Sequence, residues 1–343
     1  MSLAAVLRPV IAVVCATALT GCLFSDPLES FGGPTMGSTY AIKYVRADGV
    51  ADAATLQTGV EAILAEVDSQ MSTYRDDSLI EQFNRAPAGT CMAMPQDVLE
   101  LVRLGEGLAL QSDGAFDLTI EPLLNLWGFG PKSRGEQVPS AEAIAAARQR
   151  VGHRHLRIDG EQLCKDVKLQ VDFNSIAAGH AVDRIAAWLE QQGVGSYLVE
   201  ATGELKARGR KPDGSPWRIA VEEPRDDQRV AQKVLELDGY GVSTSGDYRN
   251  YFEENGRRYS HTLDPRSGAP ITHRLAAVTV LHPKALLADG LSTLLMVLGP
   301  EEGVIWAERQ GIAAFFVTRE GEGYVTHATK AFDALIAAQG ERP

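Results

Sequence analysis

Cysteine is scarce, with four in 343 residues. Two fall in the N-terminal segment, at Cys15 and Cys22, which leaves Cys91 and Cys164 for the rest of the chain. Neither has ligand neighbours at zinc spacing, so a zinc module is excluded. The pair can bridge in an oxidising compartment or stand as separate buried thiols, and the sequence leaves both open. Long apolar runs are missing as well: the stretch from Val10 to Leu19 is too short to cross a bilayer as a helix. Positive charge is in deficit, 33 Lys and Arg against 45 Asp and Glu, for a net −12. That argues against a nucleic-acid partner, because phosphate backbones select basic faces. No strand, glycine-rich loop and helix follow one another in the Rossmann or Walker manner. Gly128-Phe129-Gly130 has no such unit around it, so any dinucleotide pocket must be built differently. There is no internal repeat of solenoid period, no low-complexity tract and no long linker. Hydrophobic residues make up 45% of the chain, enough for a sizeable core, and nothing divides the chain downstream of its leader.

What is present begins with that leader. Arg8 is the one charge ahead of the Val10–Leu19 run, which fits the h-region of a signal peptide. The run ends in Leu19-Thr20-Gly21-Cys22, which resembles a bacterial lipobox; a plain secretory signal or a buried N-terminal strand is the alternative. Residues 1–21 are then a lipoprotein signal peptide and Cys22 a lipidated terminus. Residues 22–33, with Pro27 and Gly32-Gly33, are a tether, and 34–340 form one domain. Acyl chains on Cys22 would anchor the protein to a bacterial membrane, facing the periplasm.

Periodicity supplies the elements. Thr39–Val45 alternates as a strand. Leu56, Val60, Ile63, Leu64, Val67 and Met71 mark a helix over 52–71. Ser78 caps a helix from Leu79 to Asn84, and further helices span Pro95–Gln111 and Ala141–Gln149. Val167–Phe173 reads as a strand leading into a helix, Ile176–Glu190. Tyr197–Arg208, Trp217–Glu222, Val234–Leu237 and Leu275–His282 read as strands, and Pro283–Leu298 as a helix. Strands that follow one another without helices between them predict an α+β fold, with mixed or antiparallel sheets packed by helices.

The chemistry concentrates between Ser243 and Pro270. Ser243-Thr244-Ser245-Gly246 is a small hydroxyl run that can approach an anion, and the aromatic stretch Tyr248–Phe252 can lie against a ring. Ser260–Leu263 reads as a short strand stopped by the turn Asp264-Pro265-Arg266-Ser267-Gly268. His261, near the end of that strand, can take a proton near neutral pH or simply fill space. Asp172–Ser175 stands at a strand-to-helix junction, where free N–H groups favour anions and where these residues also serve as caps. Asp289, Ser292 and Thr293 are spaced i, i+3, i+4 on one helix face. A carboxylate with hydroxyls suits magnesium, though such a set is also an ordinary polar face.

These stretches resemble one family in its order. PTMGSTY (34–40), MSTYRDDSLIEQFN (71–84), GAFDLTIEPLLNLWGFG (114–130), VDFNSIAAGHAVD (171–183), YLVEATGELKARG (197–209), SGDYRNYF with SHTLDPRSGAP (245–270) and ADGLST (288–293) look like the ApbE family of FAD:protein FMN transferases, over residues 34 to 335. The resemblance implies FAD in a central cleft of the α+β fold, held by Met36, Tyr74, Ala115, Phe116, Asp117, Asp172, Ala178 and Leu263. It implies Mg²⁺ on Asp289, Thr293 and Ser292, with Ser175 nearby, and His261 as the base. FMN would pass through a phosphoester to a Thr or Ser of exported flavoproteins or of flavoprotein subunits of membrane electron-transport complexes, with release of AMP. FAD pyrophosphatase action and non-enzymatic FAD binding are the alternatives. Three positions depart from the family's pattern. Ser292 replaces an acidic residue of some relatives, Thr202 stands where Gly-Gly is common, and Ala178 where Lys or Glu is frequent.

Overall fold

The computed structural model describes residues 27–133, 135–224, 231–247 and 250–340. The expected signal peptide, Cys22 and Tyr248 lie outside the described residues. In chain order come β1 (Leu28–Thr35), β2 (Ser38–Val45), α1 (Ala53–Met71), α2 (Leu79–Arg85), β3 (Cys91–Ala93), α3 (Gln96–Gln111), α4 (Glu121–Trp127) and α5 (Ala141–Arg148). Then follow β4 (Leu156–Asp159), β5 (Gln162–Lys165), α6 (Ala177–Gln191), β6 (Tyr197–Ala201), β7 (Glu204–Arg208), β8 (Trp217–Glu222), β9 (Ala231–Leu237) and β10 (Tyr240–Gly246). The chain ends with β11 (Tyr251–Glu254), β12 (Arg257–Ser260), β13 (Leu263–Asp264), β14 (Ala269–Pro270), β15 (Leu275–His282), α7 (Ala285–Gln310), β16 (Ala313–Glu320), β17 (Gly323–Ala328) and α8 (Lys330–Gly340).

Eight strands form one sheet in the order β1-β2-β6-β7-β10-β15-β16-β17, and the strand pairs among the described residues are antiparallel. The α+β expectation holds. Because side chains alternate across a strand, β15 and β16 feed two cores. Val278, Val280, Ala314 and Phe316 face α1, α6 and α7, whereas Ala277, Leu281, Phe315 and Val317 face β8, β9 and α8. Burial on both faces explains why Leu275 to Leu281 of β15 are all buried, with Thr279 the one polar side chain among them.

Two tight turns shape one end of this sheet. Thr35 pairs with Ser38, so Met36-Gly37 is a two-residue hairpin loop, with φ 42° and 73°. Ala201 pairs with Glu204 in the same way around Thr202-Gly203, φ 56° and 110°, so Tyr197–Arg208 is two strands and not one.

Some expectations need correction. Leu28–Gly33, assigned to the tether, pairs with β2 as the outer strand, because Phe31 packs edge-on to Tyr40 and Tyr44. Val167–Phe173 is not a strand. Its polar groups find other partners: Asn84 Oδ1 accepts from Val171 N–H at 2.7 Å, Asn84 Nδ2 donates to Val171 O at 2.9 Å, and Asp172 N–H donates to Leu118 O at 2.7 Å. Ser260–Leu263 is broken at His261, between β12 and β13. The helix expected over 283–298 continues as α7 past a break at Gly299, φ 80°, followed by Pro300. Cys91 and Cys164, opposite one another on β3 and β5, are joined as a disulfide.

Candidate active site

Two hollows meet at Asn174 to make a cleft. The larger, about 570 Å³, is rimmed by the Met36-Gly37 turn and by Met71, Tyr74 and Arg75 at the end of α1. The other, about 430 Å³, draws Asp172 and Ser175 from the approach to α6, Glu204 from β7, Ser245 from β10, His261 and Leu263 beyond β12, and Asp289 and Thr293 from α7.

The floor of the smaller hollow is acidic. Asp289, 5% exposed, sits one turn into α7, and its Oδ2 accepts the N–H of Gly179 at 2.9 Å. That contact depends on a missing side chain, since a Cβ on Gly179 would lie 2.5 Å from Ala285 O and 2.8 Å from Asp289 Cβ. Burial first, and then the charge of Glu204, pushes the Asp289 carboxyl well above its ordinary range. Burial likewise raises Glu204 to about 7. Asp172 is raised by burial to about 6, opposed by hydrogen bonds from Asn174 N (2.6 Å) and Asn174 Nδ2 (3.0 Å). Two carboxylates held together out of water invite a cation between them. The donors are all oxygen, with the hydroxyls of Thr293 and Ser175 on the same wall, which fits a hard ion such as Mg²⁺. Among the described residues no cluster of three His, Cys, Asp or Glu side chains gathers as a metal centre, so such an ion would keep positions open to water or phosphate.

His261 is half-buried above this floor. Its Nδ1 lies 2.9 Å from Asn250 O. A carbonyl can only accept, so Nδ1 carries the proton and Nε2 keeps its lone pair. Burial lowers its pKa, which keeps the ring neutral at pH 7. The edge of Phe129 covers one side of the ring, with centroids 6.4 Å apart.

The structure therefore brings Met36, Tyr74, Asp172, Ser175, His261, Leu263, Asp289 and Thr293 to the cleft. Others it does not. Ser292 is fully buried, lines neither hollow of the cleft, and its Oγ meets Ser243 Oγ (3.1 Å), Ser245 Oγ (2.9 Å) and Asp289 O (2.9 Å). Ser243–Gly246 is paired strand and not a loop, though Thr244, Ser245 and Gly246 of it still line the smaller hollow. Ala115 and Phe116 are buried in the core. Asp117 faces a separate hollow of about 450 Å³, where it takes hydrogen bonds from Thr119 N, Thr119 Oγ1 and His153 N at 2.7–2.9 Å. Ala178 lies in the first turn of α6 and lines neither hollow of the cleft. Glu204 was missed. The signal available was an acidic residue directly after a two-residue turn, but its partner Asp289 is 85 positions away in the chain.

Comparison with known proteins places the chain among relatives. A model of the ApbE family matches residues 36–316. The chain is 43% identical over 320 residues to the FAD:protein FMN transferase of Vibrio cholerae serotype O1, covering 93% of this chain and 96% of that protein. It is 37% identical over 312 residues to the protein of that name from Escherichia coli K12, with 90% and 89% covered. The apo Pseudomonas stutzeri flavinyl transferase ApbE superposes with a TM-score of 0.86 at 66% identity, over 92% of this chain and 98% of its own. With a family match across most of its length and relatives this similar over most of both chains, the chain belongs to the ApbE family.

Proposed function

We propose that the chain is a FAD:protein FMN transferase, which moves the FMN half of FAD onto a Thr or Ser hydroxyl of a partner protein and releases AMP. The observation that carries this is the meeting, in one hollow, of an acidic oxygen floor and a histidine with Nε2 free. A site that only stores a flavin needs neither. Relatives named for the same activity support the reading.

FAD would lie along the joined hollows, with Met36 and Tyr74 at one end and Leu263 at the other. Asp289, Glu204, Thr293 and Ser175 would hold Mg²⁺, which when bound neutralises pyrophosphate charge. His261 Nε2 takes the proton of the acceptor hydroxyl, whose oxygen bonds to the FMN phosphorus as the bond to the AMP phosphate oxygen breaks. Asn250 holds the imidazole in the tautomer that can do this.

The test is incubation with FAD and Mg²⁺, with and without a Thr-bearing acceptor peptide. Covalent flavin on the peptide with AMP in equal amount is the expected result. Free FMN at the same rate whether or not peptide is present would assign the protein as a pyrophosphatase. The Cys91–Cys164 disulfide supports an oxidising compartment. Together with the lipobox-like Leu19–Cys22 it favours lipid anchoring at a bacterial membrane, facing the periplasm, within reach of acceptor subunits of membrane electron-transport complexes. Fatty-acid labelling of Cys22→Ser checks the anchor, and label equal to wild type overturns it.

A further inference from the structure

A single main-chain oxygen, that of Asn250, receives both the N–H of His261, at 3.1 Å, and its Nδ1–H. Where Asn250 sits therefore decides where Nε2 points. Three residues earlier the chain passes through Asp247, just beyond β10 and 8% exposed. Arg319 of β16 grips its carboxylate with two parallel bonds, Nη1 to Oδ2 at 3.1 Å and Nη2 to Oδ1 at 2.6 Å. The Asp247 N–H donates to Ala276 O of β15 at 3.1 Å, and its carbonyl accepts from Arg258 Nη2 of β12 at 2.6 Å. Every polar group of Asp247 is thus committed. It joins two strands of the large sheet to the β11–β12 hairpin whose end carries His261. Neither Asp247 nor Arg319 lines the cleft.

We propose that the Asp247–Arg319 pair is a positioning device for His261: it fixes the chain that carries the Asn250 carbonyl and sets a balanced charge beside the imidazole. The role rests on the reading of His261 as the base. Among the charged groups of the described residues, Asp247 is the one whose field favours the protonated ring. Asp172, Glu204 and Asp289 line the same hollow, Arg258 is turned toward Asp247, and Asp264 is bound by Arg266 at 3.0 Å. The guanidinium of Arg319 offsets the Asp247 charge. Removing it leaves a bare carboxylate near the ring, while removing the carboxylate leaves a bare cation, so the two changes act on the imidazole with opposite sign.

The experiment is an NMR titration of the His261 ring in full-length protein labelled with ¹⁵N-histidine, with His261→Gln for assignment. Arg319→Met is expected to raise the ring pKa, Asp247→Asn to lower it, and Arg319→Lys, which keeps the charge and loses the fork, to leave it near wild type. In single-turnover transfer from FAD to a Thr peptide, Arg319→Met loses about tenfold or more in rate, in the range of a misplaced general base. Its FAD affinity stays within about threefold, its acid limb moves with the ring pKa, and Arg319→Lys recovers part of the rate. A ring pKa that does not move, that moves the same way in both variants, or a rate loss that tracks lost FAD affinity overturns the proposal. Should Arg319→Met fail to fold, Asp247→Asn and Arg319→Lys carry the same decision. A wild type that binds FAD but transfers nothing sinks the transferase reading alone, because the titration judges the clamp without turnover.

Discussion

His261 is the residue on which the proposed chemistry turns, and its competence depends on a proton's location. With Nδ1–H given to Asn250 O, the ring offers Nε2 as a base as long as it is neutral. Burial lowers its pKa, so the rate should climb with pH and level off, with the acid midpoint below the ordinary value of about 6.5. A midpoint at or above that value would contradict the assignment. His261→Ala is expected to lose about 10²–10⁴-fold in transfer while FAD affinity, measured by flavin fluorescence, changes little. Loss of both together would make His261 a structural residue. Turn residues and helix spacing alone leave His261 and Asp289 open to a bland reading, and it is the family resemblance that singles them out; the structure places both in the cleft. Ser292 met the same spacing rule and failed. Spacing reports the face of a helix, not whether a neighbouring strand has covered it, and here Ser243 and Ser245 of β10 had.

At the scale of elements, local pattern served best where an element answers to its own neighbours. The helix expected over 52–71 begins after Asp52, whose carboxylate accepts from Thr55 N–H at 2.9 Å, and ends at Met71. Val167–Phe173 could not be read this way: alternating apolar and polar residues look like a strand, and the partners that replaced a ladder came from Asn84 and Leu118, far back in the chain. The seam between α6 and α7 was equally hidden, since it rests on Gly179. Gly179→Ala should cost about 1–3 kcal/mol in urea unfolding through overpacking, and should weaken Mg²⁺ binding by calorimetry, because the added Cβ pushes α7 away and stretches the 179 N–H bond to Asp289. Wild-type values for both would place the seam elsewhere. The Cys91–Cys164 bridge closes a segment with a sequence separation of 73 that contains α3, α4 and α5. Replacing both cysteines by serine should lower unfolding free energy by about 4 kcal/mol in the chain-entropy view, and a loss under about 1 kcal/mol would refute it.

Taken as a whole, the molecule carries four raised carboxyls in or beside the cleft: Glu121 at about 8, Glu204 at about 7, Asp172 at about 6, and Asp289 well above its ordinary range. Each has a folded pKa above its unfolded one, so ionising it in the fold removes stability, progressively, as pH rises from about 4 through those values. Buried His180, His261, His273 and His282, all lowered, oppose this by losing stability as pH falls through about 6.5. The carboxyls prevail because three of them end near or above 6, far from their starting points. Metal-free protein should therefore melt higher at pH 5.5 than at pH 8, by about 5 °C at roughly 2 °C per kcal/mol. Added Mg²⁺ should raise the melting temperature more at pH 8 than at pH 5.5. Equal melting at both pH values without metal would mean that the carboxyls ionise freely.

The β1–β2 hairpin has a consequence for reach. Leu28 lies at one end of it and Met36 at the tip, which also forms the rim of the cleft. Seven strand steps from Leu28 to Thr35, at about 3.3 Å each, put the tip roughly 23 Å from Leu28. β1 therefore sets the mouth of the cleft its own length away from Leu28, where the described chain begins its first strand. In the proposed lipid-anchored form, the acceptor hydroxyl would then be one presented above the bilayer and not one flush with its surface.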